Sequence, residues 1–174
     1  MTAAEKETLL QHLNPQSKGL GRLLATIFKS GEVAAGKERL EADCREGTAE
    51  VLTLEVERYA SGQETNDEGP ICFFELGQNQ LLVLWGQWLC DPHVVTTASL
   101  DIDELWERNA WFKHFRLVRA PASGIVLSLQ PSGRETVSSV GTVGAGRRLP
   151  AQPSEVFQGS LDALLSENQQ RSAV

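Results

Sequence analysis

One mostly apolar stretch, residues 71–90, limits what this chain can fold into more than any other part of its sequence. It consists of two apolar runs on either side of the polar residues Gly77, Gln78 and Asn79, a pattern typical of a β-hairpin. In the second run both alternating sets of side chains are apolar, so we expect a central strand that other elements cover on each side. The two sets are Leu81, Val83, Trp85 and Leu89 on one face, and Leu82, Leu84, Trp88 and Cys90 on the other.

The residues before this hairpin carry helical signals. Thr2 and Glu5 form a capping box, and leucines follow it at helical spacing until Pro15. A second apolar stripe predicts a helix that could cover the second face of the hairpin strand. A third helix is expected over residues 30–46, stopped by Gly47. The second stripe comprises Leu20, Leu23, Leu24, Ile27 and Phe28.

After residue 47 the pattern is mainly that of strands. Residues 51–59 and 94–99 favour strands, and residues 115–119 and 124–130 indicate a second hairpin, with residues 135–140 as its outer strand. A short helix is expected near residues 102–109. Residues 142–159 are rich in Gly and Pro and predict a loop, followed by a helix over residues 160–169 and a frayed tail at 170–174.

These patterns predict a single globular α+β domain over residues 1–174. We expect a helical N-terminal third, residues 1–47, packed on an antiparallel, meander-like sheet of about six strands, with a short C-terminal helix. Residues 48–141 would supply the strands and the short helix. A small curved barrel of the pleckstrin-homology type is the alternative, because meandering strands followed by a terminal helix also suit it.

Composition predicts a soluble protein of a reducing compartment. No apolar run approaches the roughly 18 residues that span a bilayer, and the first ten residues lack the apolar core of a signal peptide. The three cysteines, Cys44, Cys72 and Cys90, make an odd number, which suits buried thiols better than a disulfide framework. We therefore expect a cytoplasmic location.

Charge is unevenly placed along the chain, whose net charge is −7. Residues 32–68 hold eleven acids against four bases, whereas residues 107–150 hold seven bases against two acids. The basic half could bind an anionic partner, or the two halves could complement each other within one fold. The acidic total disfavours general nucleic-acid binding.

Two short motifs point to chemistry but lack the residues that would complete it. Gly31, Gly36 and Lys37 match the spacing of a phosphate-binding loop, but Glu38 stands where a hydroxyl is needed, so we reject nucleotide hydrolysis. Cys90 and His93 have the spacing of half a zinc site. Cys72 could join them across the hairpin, so a metal-binding protein or a hydrolytic enzyme centred on these residues is an alternative function. We expect no cofactor.

Two basic segments are the candidate binding surface. The first is a stretch in which Trp111 stands beside Lys113 and Arg116, the combination of an aromatic and bases found in many binding sites. The second is a glycine-rich loop in which backbone amides and arginines could hold an anion. Its residues are Gly144, Gly146, Arg147 and Arg148.

From these segments we predict a non-enzymatic cytoplasmic binding or interaction domain, a monomer or small homo-oligomer, whose partner is a protein or an anionic molecule. An oligomeric structural subunit assembled through the N-terminal helices is a further alternative.

Overall fold

The computed structural model describes residues 32–62, 69–91, 94–95, 102–144 and 152–171. The helices expected before residue 30 lie outside these residues. In chain order the described elements are α1 (Glu32–Glu46), β1 (Glu50–Glu55), β2 (Arg58–Gly62), β3 (Ile71–Glu75), β4 (Gln80–Trp85), a 3-10 helix (Gln87–Cys90), α2 (Ile102–Glu107), β5 (Ala110–Phe112), β6 (His114–Arg119), β7 (Val126–Pro131), β8 (Thr136–Val143), β9 (Ser154–Gln158) and α3 (Leu161–Arg171).

The hairpin predicted from the apolar stretch is present as β3 and β4. All three turn residues take positive φ angles, 80° at Gly77, 52° at Gln78 and 59° at Asn79. Glycine adopts the φ of Gly77 without strain, and a Cβ atom there would only require the exposed Glu57 side chain, whose carboxylate oxygen would lie 2.6 Å away, to move. The turn closes through a 3.0 Å bond from the Gln80 N–H to the Gly77 carbonyl.

Both faces of β4 are buried, as the alternating apolar sets predicted. Leu82 and Leu84 join a central core with Cys72 and Phe74 of β3. The opposite set, Leu81, Val83 and Trp85, joins a second core, which α3 covers with Leu161 and Leu164. The strand ends at Trp85, and the following 3-10 helix turns Leu89 into the central core rather than onto the face predicted for it.

The nine strands of the described residues form two sheets that join at a corner. The six-stranded sheet has the order β5–β8–β2–β3–β4–β9, and the three-stranded sheet has the order β1–β6–β7. The chain passes from β1 to β2 through two residues and from β5 to β6 through Lys113 alone. A 2.7 Å bond from the Val56 N–H to the Lys113 carbonyl ties these two crossings together. The sheets therefore curl around the central core as a half-barrel.

Helix α1 packs on the outward face of the three-stranded sheet. Its Leu40 meets Val118, Ala120 and Leu127 in a third, smaller core. The helix ends where the sequence predicts, because Gly47 takes a φ of 64° and its N–H bonds to the Asp43 carbonyl at 2.9 Å.

The fold predicted from the sequence, a helical N-terminal third on one antiparallel meander of about six strands, is wrong. The described residues are dominated by nine strands in two curled sheets, with three α-helices at their surfaces. Strands β2 and β8 also run parallel, which no antiparallel meander contains. The parallel pairing of β2 with β8 also disagrees with the pleckstrin-homology alternative, which was based on strands that meander in sequence order. Sequence periodicity reports local structure, so it could not reveal a parallel partner contributed from the far end of the chain.

Two smaller expectations also fail. The segment predicted as a loop, residues 142–159, contains the end of β8 and all of β9. Strand β8 pairs with β2 and β5, not with the second hairpin as its outer strand. Within the described ranges, no helix has the length and apolar character needed to cross a membrane.

Candidate functional site

The segment from β5 into β6 holds most of the described residues of the predicted binding surface, and it separates them. Trp111 is fully buried, with an exposed fraction of 0%. Lys113, at the crossing between the strands, is half-buried, and Arg116 in the middle of β6 is exposed. The two bases therefore lie at the surface, while the tryptophan proposed as their neighbour faces the interior.

Trp111 belongs to an aromatic group in the central core. Its ring centroid lies 5.2 Å from that of Trp106, 5.7 Å from that of Phe74 and 6.4 Å from that of Tyr59. Its assignment to a partner surface depended on its being exposed, and that condition is not met. The bases alone remain as candidates on this segment.

Arg116 lies at the centre of an exposed patch on the outward face of the three-stranded sheet. Register places it directly opposite Thr53 of β1 on one side and Gln130 of β7 on the other. The neighbouring outward pair along the strands is Glu55 and His114. We call the exposed patch made by these five residues the Arg116 face.

The Arg116 face ends where helix α1 begins to cover the sheet. It covers Val118 and Leu127 at one end of the sheet and leaves the other end uncovered by any described element. Thr53, Arg116 and Gln130 are accordingly all exposed. Sequence patterns alone did not point to Thr53, Glu55 or Gln130. Gln130 could have been found, since the predicted hairpin between residues 115 and 130 places the end of its second strand beside the start of its first.

The Arg116 guanidinium has few partners of its own. One of its N–H groups lies 3.5 Å from the Gln130 side-chain oxygen, and no carboxylate of the described residues lies within 4.0 Å of it. Other bases nearby are already paired. Lys113 Nζ lies 3.3 Å and His114 Nε2 3.7 Å from a Glu135 oxygen, and Arg119 Nε donates to Glu50 at 2.7 Å.

The last of these ion pairs, Arg119 with Glu50, bears on the uneven charge of the chain. It joins the acidic half to the basic half across β1 and β6, which supports the reading in which the two halves complement each other. Part of the basic charge is therefore neutralised within the fold, whereas Arg116 takes part in no ion pair with the described residues.

The glycine-rich loop contributes one described residue to the candidate surface. Gly144 directly follows β8 and is partly buried. Gly146, Arg147 and Arg148 lie outside the described residues, so their role stays a prediction from sequence.

The weak metal candidates fall in different environments. Cys72 is fully buried in β3, and burial raises the pKa of its thiol well above the ordinary range. Cys90 is exposed at the end of the 3-10 helix, and His93 lies outside the described residues. Within the part of the chain that the structure describes, no three His, Cys, Asp or Glu side chains gather as a metal site would require. A buried thiol with a raised pKa is also a poor nucleophile.

Two further polar clusters, both unforeseen from the sequence, hold the helices on the sheets. The Asp43 carboxylate, fully buried on α1, accepts N–H bonds from Ala122 at 2.8 Å and Ser123 at 2.9 Å. Arg58 forms a two-bond pair with Asp162 of α3, at 2.5 and 3.0 Å, and lies 3.3 Å from Glu75. Because each group is paired within the fold, we assign these clusters to packing.

Comparison with known proteins gives no further guide to the site. No family model matches the chain, and neither the curated proteins nor the solved structures contain a match to it.

Proposed function

We propose that this protein is a non-enzymatic binding domain that recognises an acidic segment of a partner protein through the Arg116 face. The observation that carries the proposal is the state of Arg116, an exposed guanidinium in the middle of a strand with a single long hydrogen bond. A guanidinium has five N–H donors arranged to meet a carboxylate. Most of these donors are available to a partner.

The surroundings of Arg116 are polar and include one carboxylate, that of Glu55, so they favour a polar partner over an apolar one. Thr53 and Gln130 offer polar side chains on both flanking strands, and Lys113 lies a few residues away on the same chain segment. Lys113 is paired with Glu135, whose side chain is 68% exposed. Since exposed ion pairs contribute little, a partner carboxylate could replace Glu135 at small cost.

The rigidity of the face adds to its suitability. The backbone of paired strands is held more firmly than that of loops, so less backbone entropy is lost when a partner binds. The whole chain is acidic, with a net charge of −7, and so repels anions at long range. Binding to the Arg116 face should therefore depend on short-range contacts.

A fluorescent hexaglutamate peptide tests this proposal by titration at about 0.15 M ionic strength, where the long-range repulsion between the acidic chain and the peptide is largely screened. We expect the double variant Lys113→Ala/Arg116→Ala to bind about tenfold more weakly than the wild-type protein, the loss of two charge-assisted contacts. The matched control is Lys37→Ala/Arg108→Ala, which removes two other surface bases, each of them in an exposed ion pair. Equal weakening by both double variants, or no binding to the wild-type protein, would exclude the Arg116 face.

The predicted contribution of the glycine-rich loop enters the same assay. Arg147→Ala/Arg148→Ala removes the same charge as the other double variants. If this variant binds the peptide more weakly than the Lys37→Ala/Arg108→Ala control does, the loop is part of the binding surface. If its affinity equals that of the wild-type protein, the loop is not part of that surface.

A cytoplasmic location is part of this proposal. The odd number of cysteines and their presence as thiols in the structure support a reducing compartment.

A further inference from the structure

Strand β1 forms one edge of the three-stranded sheet. On one side it pairs with β6 over six residues in unbroken register, and no strand of the described residues pairs with it on the other side, which we call its outer edge. The opposite edge of the sheet differs, because the Leu129 N–H of β7 donates to the Val94 carbonyl at 2.8 Å. An edge strand presents backbone donors and acceptors to which an extended segment of another protein can add as a further strand. In this sheet β1 is the edge suited to such an addition.

The ladder between β1 and β6 determines which backbone groups lie at the outer edge. The Val56 N–H donates to the Lys113 carbonyl at 2.7 Å, so these two residues form a hydrogen-bonded pair of the ladder. Because such pairs alternate along an antiparallel ladder, the even-numbered residues of β1 bond to β6. The N–H and C=O groups of Val51, Thr53 and Glu55 therefore point to the outer edge. The side chains of the same three residues are all exposed.

The side chains of β1 and β6 define a strand that would fit this edge. Leu52 and Leu54 pack against the central core and are only half-buried, so apolar side chains of an added strand would complete their burial. A residue opposite Thr53 would lie about 10 Å from β6, two strand spacings away, on the same side of the sheet as Arg116. A glutamate there and Arg116, which is held only by its 3.5 Å bond to Gln130, can meet above the short Thr53 side chain.

The two outward residues on either side of Thr53 extend this pattern. Glu55 favours a basic residue directly opposite it, since cross-strand pairs of opposite charge are stabilising. Val51 is 48% exposed and favours an apolar one. Antiparallel pairing is the more stable arrangement per residue, so the added strand should run antiparallel to β1. From its N-terminus the added strand would then read basic, apolar, acidic, apolar, apolar.

We propose that the acidic residue recognised by Arg116 belongs to an extended strand of the partner protein, which adds to the outer edge of β1 and directs its carboxylate over Thr53. This inference rests on the proposed function and specifies the form of the partner. Backbone hydrogen bonds along β1 supply affinity, and the alternating side chains supply specificity. One acidic residue in a set position is needed, and the partner segment requires no net negative charge.

The test is a titration of the full chain with a fluorescent peptide of the sequence Thr-Lys-Val-Glu-Val-Val-Thr, capped at both ends. Its formal net charge is zero, so the acidic chain does not repel it. N-methylation of its Glu removes the N–H that would bond to the Thr53 carbonyl and should weaken binding about tenfold. The matched control is N-methylation of the Val that follows the Glu. That N–H points away from β1, so the affinity should change less than about threefold.

Two further comparisons locate the peptide on the chain. Exchanging its Lys and Glu keeps the composition but places a base toward Arg116, which should weaken binding about fivefold, and this difference should shrink in Arg116→Ala. Thr53→Pro removes an N–H that β6 does not use, and proline is tolerated on edge strands, so this variant should fold and bind about tenfold more weakly. Thr53→Ala keeps the N–H and is its control. Should Thr53→Pro fail to fold, the N-methylated peptides still decide the question.

Equal binding of the two N-methylated peptides, or no binding of the unmodified peptide, would overturn the proposal. Hexaglutamate separates this failure from that of the proposed function. If its binding still depends on Lys113 and Arg116, the Arg116 face stands and only the strand addition falls. A dimer in sedimentation velocity that Thr53→Pro converts to a monomer would assign the outer edge to a second copy of the chain and would also overturn the proposal.

Discussion

In the six-stranded sheet the outward side chains of β3 and β4 are buried beneath α3, whereas in the three-stranded sheet α1 covers only one end of the outward face. Phe73 and Arg116 illustrate this difference in burial, since each faces outward from an inner strand of its sheet. Phe73 is 2% exposed and lies among apolar residues. Arg116 is exposed and flanked by polar residues. Comparable positions in the two sheets thus form part of a core in one case and an exposed polar surface in the other.

The largest effect should come from Phe73→Ala. Removing a buried phenylalanine leaves a cavity and costs about 3–5 kcal/mol of unfolding free energy. Urea denaturation followed by circular dichroism measures it. The control is Val51→Ala, which removes an exposed apolar side chain of the three-stranded sheet, 48% exposed, and should cost no more than about 0.5 kcal/mol. Similar losses for the two variants would erase the distinction between the sheets.

A smaller loss is expected from Asp43→Ala, at the covered end of the three-stranded sheet. It leaves the N–H groups of Ala122 and Ser123 without their acceptor and should cost about 2–3 kcal/mol. Asp43→Asn should lose less, because its amide oxygen can still accept one of the two bonds. Glu38→Ala, an exposed acid on the same helix, is the control. If Asp43→Ala unfolds at the same urea concentration as this control, α1 is not anchored through Asp43.

The ion pair that links α3 to the six-stranded sheet should produce a small, pH-dependent effect. The Arg58 hydrogen bonds lower the pKa of Asp162 in the folded protein. The Asp162 charge therefore stabilises the fold above the ordinary pKa of an aspartate, and this stabilisation disappears as the pH falls through the lowered value. Asp162→Asn should melt slightly below wild type at neutral pH and match it in acid. A melting-temperature difference that stays constant across this range would contradict the assignment.

The smallest effect on stability is expected from Arg116→Ala. Because the side chain is exposed and makes only one long hydrogen bond, its loss should change the unfolding free energy by less than about 0.5 kcal/mol. The same urea denaturation measures it. A loss above 1 kcal/mol would show that Arg116 supports the fold and would weaken the case for a binding role.

The local elements were predictable from the sequence where neighbouring residues determine them. The turn at Gly77, Gln78 and Asn79 gives the first hairpin, and Gly47 ends α1, because backbone preferences act within a few residues. The two buried faces of β4 follow from its continuous apolar pattern in the same way. These features depend little on the rest of the chain.

The arrangement of the strands was not predictable by the same reasoning. Strand β8 alternates between exposed and half-buried residues, yet it lies between β5 and β2 inside the larger sheet. Its polar sequence gives no sign of a parallel partner. The passages from one sheet to the other, at Val56 and Lys113, were also not predictable. The two strands that flank each passage have the sequence pattern of one continuous strand.

The candidate site was predictable only in part. Lys113 and Arg116 were identified from their charge, and both lie at the surface. Trp111 was misjudged because its own segment contains few apolar residues at strand spacing, while the residues that bury it come from β2, β3 and α2. Burial of this kind is a property of the tertiary fold.

Thiol labelling at matched positions tests the contrast between the two sheets most directly. The variants Arg116→Cys and Val83→Cys place a thiol on the outward face of each sheet, and peptide mass spectrometry after iodoacetamide treatment separates these sites from the three native cysteines. We predict that Cys at position 116 reacts within about tenfold of the rate in the unfolded chain, because the face is open, and that Cys at position 83 reacts at least a thousandfold more slowly, because opening it requires unfolding. Strong protection at position 116, or rapid labelling at position 83, would contradict the account.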